Sequence, residues 1–110
     1  MELIDRALVV VRPGQLFLEW INEVEEKLDS PEKNKFTLVD IQIDPHSYLV
    51  PEQDEPAEIK VWLAANSLKL MEHEFASWCE DSSLWPSLKD PAMLDQWFYV
   101  EVFSMVFDLG

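Results

Sequence analysis

Apolar residues along this chain follow two rhythms, alternate positions and three-to-four spacing, and these lay out the expected elements. Ala7-Leu8-Val9-Val10-Val11-Arg12 is a β-branched run closed by Pro13-Gly14, which predicts a strand and then a turn. Phe17, Trp20, Ile21, Val24 and Leu28 follow at i, i+3, i+4, i+7 and i+11, the spacing of one apolar helix face. Glu19, Glu23, Glu25, Glu26 and Lys27 mostly take the other side. This helix is expected to end near Leu28-Asp29-Ser30, because Pro31 disfavours helical backbone in the residue before it. Phe36-Thr37-Leu38-Val39-Asp40-Ile41 fits either a strand or a single helical turn capped by Thr37, and the strand is preferred. Asp44-Pro45 marks a turn, and Ser47-Tyr48-Leu49-Val50 a second short strand stopped by Pro51.

Helical spacing returns from Asp54, which can serve as N-cap with Glu55 and Pro56 in the first turn. Ile59, Trp62 and Leu63 form one apolar patch, and Ala64, Leu68, Met71, Phe75 and Trp78 continue it towards Cys79. An unbroken helix over 55–79 would be roughly 37 Å long, which is long for 110 residues. A bend or break is therefore expected at Asn66-Ser67, whose side chains compete for backbone hydrogen bonds. Asp81-Ser82-Ser83-Leu84-Trp85-Pro86 reads as a loop with an aromatic anchor, and Asp90 as the cap of a short helix from Pro91 to about Trp97. Tyr99 to Leu109 is the clearest strand signal. Phe103, Met105, Phe107 and Leu109 would share one face, and Val100, Val102 and Val106 the other.

The order strand, helix, strand, strand, helix, short helix, strand predicts an α+β fold. The closest architecture is a ferredoxin-like βαββαβ two-layer sandwich, with helices on one face of an antiparallel sheet and an extra short helix before the last strand. Its first and last strands are apolar on both faces, so one sheet face would be left exposed. Such a patch marks an interface, to be covered by a second copy or by the 80–97 segment.

Only Gly14 and Gly110 are glycines, and no Ser-rich tract or repeat interrupts the chain; residues 1–110 are read as one domain. No apolar run nears the ~20 residues of a membrane span. Met1-Glu2-Leu3-Ile4-Asp5 lacks the basic start of a secretory signal. A single cysteine, Cys79, excludes an internal disulfide and points to a reducing, cytoplasmic setting. The 22 acidic side chains against 8 basic ones give a formal charge of −14. That charge argues against nucleic acid and anionic membrane as partners, since their phosphates would be repelled. The excess is spread over both halves, with 13 acids and 5 bases in 1–55 and 9 acids and 3 bases in 56–110.

Catalytic and cofactor motifs are not evident. Neighbouring carboxylates such as Glu72/Glu74, Glu80/Asp81 and Asp54/Glu55/Glu58 arise by chance in so acidic a chain and read as solvated surface. His46, His73 and Cys79 show no recognised metal spacing, and Glu72-His73-Glu74 on one helical turn would point three ways. Glu52-Gln53-Asp54-Glu55 lacks the glycine of a calcium loop. Cys79 is followed by Glu80 and Asp81 near a helix C-terminus, where a thiolate is disfavoured. Arg12-Pro13-Gly14-Gln15 has one glycine where a phosphate loop needs several. No catalytic, cofactor or metal residue is assigned. Trp85, least explained by periodicity, is the leading candidate contact residue, joined by Val100, Val102 and Val106 as a candidate interface.

The ending Ser104-Met105-Val106-Phe107-Asp108-Leu109, with Ser83-Leu84-Trp85-Pro86 upstream, resembles a set of small acidic bacterial proteins without an assigned activity. The resemblance implies a bacterial cytosolic protein and brings no site residues. The expected function is a non-enzymatic interaction or regulatory protein that binds a protein partner, with a homodimer as one form. Two alternatives stand beside it. One is an acidic inhibitor or decoy, immunity-like or mimicking nucleic acid, that blocks a cationic site; the other is a small enzyme with a pocket between sheet and helices.

Overall fold

Ala7, Val9 and Val11 are fully buried while Leu8 and Val10 between them are not, the two-residue period of a strand with one covered face. This is a computed structural model that describes residues 1–28 and 35–110. A two-residue strand β1 (Glu2–Leu3) precedes this strand, β2 (Arg6–Pro13). Helix α1 (Gln15–Lys27) starts directly after Gly14. The Gly14 N–H donates to the carbonyl of Trp97 at 2.8 Å. A Cβ on residue 14 would sit 3.1 Å from that carbonyl oxygen, so the close approach suits a glycine. Phe17, Trp20, Ile21 and Val24 are the buried face of α1, as the spacing predicts, whereas Leu28, the last position of that spacing, is exposed. The helix caps at Leu28; Asp29, Ser30 and Pro31 of the expected boundary lie outside the described residues.

The preferred strand at 36–41 is corrected to helix α2 (Leu38–Gln42). Asp40 N–H donates to Thr37 Oγ1 at 3.3 Å, and Thr37 N–H donates to Asp40 Oδ2 at 2.8 Å. This reciprocal capping box satisfies two orphan donors of the first turn. Upstream, Phe36 N–H donates to Asn22 Oδ1 at 2.9 Å, and Asn22 Nδ2 donates to the Phe36 carbonyl at 3.1 Å. A side chain of α1 thus takes the backbone groups that a neighbouring strand would have used.

Strand β3 (His46–Pro51) leads to helices α3 (Pro56–Ala65) and α4 (Ser67–Trp78), which break at Asn66 as expected. Asn66 Nδ2 donates to the Trp62 carbonyl at 2.8 Å, and Ser67 Oγ to that of Ala64 at 3.0 Å, both diverting helical acceptors. A 3₁₀ turn (Ser82–Leu84) and helix α5 (Met93–Trp97) follow. Asp90 accepts the Ala92 N–H at 2.9 Å just ahead of α5. The last expected strand is interrupted at 104–106, giving β4 (Phe98–Phe103) and β5 (Phe107–Asp108).

The main sheet is antiparallel in the order β3-β2-β4, and β1 pairs with β5 in a separate ribbon. The α+β class is therefore present, with five α-helices and two small antiparallel sheets among the described residues. A four-stranded ferredoxin-like sheet would need the 36–41 segment as a strand, and α2 occupies that place. Ala7, Val9 and Val11 share one core with Phe17 and Ile21 of α1, Ile59 and Leu63 of α3, and Met71 and Phe75 of α4. At its centre Phe75 packs on Trp20, Phe17 and Phe98 with ring centroids 4.8, 5.2 and 5.8 Å apart. No helix among the described residues is long and apolar enough to cross a membrane.

Candidate functional site

Trp85 is half-buried, with its Nε1–H donating to the Cys79 carbonyl at 2.7 Å and its ring 6.5 Å from that of Phe75. It ties the 79–85 loop to the core. Val100 and Val102 point to the same side of β4 as the buried Phe98 and pack against the core. Val106 is half-buried, and its carbonyl accepts the Ile4 N–H at 2.9 Å. The structure thus uses Trp85, Val100 and Val102 for packing, and the surface left over lies on the opposite side of the sheet.

Register defines that surface. Leu8 stands opposite Leu49 of β3 and Phe103 of β4, Val10 opposite Ser47 and Glu101, and Arg12 opposite Tyr99. Leu49 is 59% exposed, Tyr99 59% and Phe103 43%, so an apolar row crosses the sheet that no helix among the described residues covers. Arg12 pairs with Glu101 beside this row.

On the covered face, β3 brings His46 and Tyr48 inward at period two, on the side of buried Val50. Helix α4 meets them with His73 and Glu74. Glu74 lies on the helix stripe of Leu70, Met71 and Phe75 and is only 1% exposed. Its Oε2 accepts from His46 Nδ1 at 2.6 Å and from the Tyr48 hydroxyl. With the Tyr48 proton directed at Glu74, the Tyr48 oxygen accepts from His73 Nδ1 at 2.8 Å. Burial first, then the hydrogen bond and charge of Glu74, push the Tyr48 pKa up, which keeps its hydroxyl a donor. The two histidine rings stand 6.2 Å apart. One donor atom from each of His46, His73 and Glu74 lies within 4.8 Å of the others.

A groove of about 420 Å³ opens beside the cluster, lined by Tyr48, Val50, Trp62, Asn66, Lys69 and His73 among others. Sequence spacing did not bring these groups together, because His46 and Glu74 are 28 residues apart and meet only by packing. Two signals do exist: His46-x-Tyr48 on the inward face of a strand, and an acid on an apolar helix stripe. No protein-family model, curated protein or solved structure matches the chain.

Proposed function

We propose that this chain is a small acidic interaction protein whose working form is a homodimer, joined face to face through the uncovered side of the β3-β2-β4 sheet. The row Leu49–Leu8–Phe103 carries this reading, since it sets two exposed apolar side chains on either side of a half-buried one across three strands. Charge favours a second copy as the occupant. Arg6, Arg12 and Glu101 are the charged residues in register on this side, a balance of about +1 in a chain of −14. Two copies meeting here keep their acidic surfaces apart.

Area sets a further condition. Three strands ~4.8 Å apart and about seven residues long, at ~3.4 Å each, cover roughly 350 Å². A standard interface takes about 800 Å² from each partner, so the sheet face is somewhat under half of one. The rest has to come from outside the sheet, and the terminal ribbon and its approach expose Leu3, Met105 and Phe107 as apolar side chains free to join the contact.

Light scattering on the eluting protein at tens of micromolar tests the reading. The expected mass is twice the 12.9 kDa of one chain, and Leu49→Glu or Phe103→Glu is expected to return monomers with unchanged circular dichroism. A monomeric wild type at that concentration, or dimers that survive both substitutions, overturns it.

A further inference from the structure

The chain has two histidines. Both converge on one carboxylate, from a strand and a helix 27 residues apart, and that carboxylate is among the most buried charged groups described. A buried carboxylate requires compensation by a cation or by donors. Among the described residues, no lysine or arginine is a hydrogen-bond or ion-pair partner of it. Imidazole and carboxylate together form the donor set of zinc-type sites, and hard Mg²⁺ or Ca²⁺ would favour oxygen alone.

We infer that His46, His73 and Glu74 bind a divalent transition-metal ion of the zinc type. Each neutral imidazole has one unprotonated ring nitrogen as a ligand, Nε2 while Nδ1 donates its hydrogen bond, or Nδ1 once the proton moves to Nε2 and the ion replaces that bond. The carboxylate supplies an oxygen. Three donors each ~2.0–2.2 Å from a tetrahedral ion stand roughly 3.3–3.6 Å apart. The present spread of up to 4.8 Å closes by about 1 Å of side-chain rotation. His73 is exposed and His46 partly so, whereas Glu74 is fixed by the helix stripe. Tyr48 is a positioning residue, because its hydroxyl lies between His73 and Glu74 and holds both towards the ion's place. Three protein ligands leave a fourth position, and the groove lined by Tyr48 and His73 gives water or a small ligand access to it. The acidic surface of the chain raises the local concentration of cations around the site.

Calorimetric titration of the full chain with ZnCl₂, in millimolar Mg²⁺ to saturate loose carboxylates, tests the inference. One Zn²⁺ per chain is expected, together with a rise in Tm as the ion binds the folded state. His73→Ala changes an exposed side chain, so the fold is retained. It and His46→Ala are expected to weaken binding by more than about 100-fold, beyond the 10–100-fold typical of residues that only support ligands. Tyr48→Phe removes no ligand and is expected to bind Zn²⁺ within about tenfold of wild type, the lower end of that supporting range. Absence of stoichiometric binding by the wild type, full displacement by Mg²⁺, unchanged affinity in His73→Ala, or loss of binding in Tyr48→Phe overturns the assignment.

Discussion

Trp20 Nε1–H donates to the carbonyl of Leu84 at 2.9 Å, joining helix α1 to a turn 64 residues later. The same indole packs edge-on to Phe75 with centroids 4.8 Å apart. Trp20→Phe keeps most of the ring contact and orphans the carbonyl. A loss of about 1–3 kcal/mol is expected for leaving one such partner unpaired, read from the urea midpoint at unchanged slope.

Trp85 distinguishes packing from contact. Its hydrogen bond to Cys79 and its place by Phe75 make it structural. Trp85→Ala is expected to cost about 2–3 kcal/mol, below the range for fully buried aromatics because the ring is half-exposed. Light scattering should show the same mass as wild type below the unfolding transition. A stable variant that no longer self-associates would reverse the assignment.

The cap of α2 gives a pH signature. Hydrogen bonds from the Thr37 backbone and side chain lower the Asp40 pKa from its ordinary 3.8. Because the folded-state value is the lower one, the cap's contribution is complete above about pH 3.8 and is lost as pH falls through the folded value. Thr37→Ala removes the side-chain hydrogen bond and keeps the backbone one, so it should raise the Asp40 pKa only part of the way back towards its ordinary value, followed at its carboxyl carbon by NMR. The same change is expected to cost about 1 kcal/mol at neutral pH as a lost N-cap.

Periodicity made some elements readable and left others dark for a physical reason. The face of α1, the strand at Val9 and the break at Asn66 depend on neighbours within a few residues, and all three follow from local spacing. Residues 36–41 obey two local rules at once, a β-branched run and a capping box. The choice between them was made by Asn22, which is 14 residues away and takes the Phe36 backbone. The last strand reads as continuous from composition, yet it divides at 104–106 into two pairings with different partners. At the cluster, His46 and Tyr48 belong to one element and His73 and Glu74 to another. Their meeting depends on how α4 lies over β3, which no spacing along the chain encodes. Glu74 was hidden further as one of 22 acids in the chain; its position among Leu70, Met71 and Phe75 was the legible clue.

The pairing of β1 with β5 sets how the molecule responds to mechanical load. Glu2 faces Asp108, Leu3 faces Phe107, and the same two ends of the chain continue into the β2–β4 pairs from Leu8–Phe103 to Pro13–Phe98. Antiparallel hydrogen bonds run perpendicular to the strands. A pull between the two ends therefore meets them one at a time, as a zipper. Tension applied there opens the ribbon first and then peels β4 from β2, uncovering the core from the edge inward.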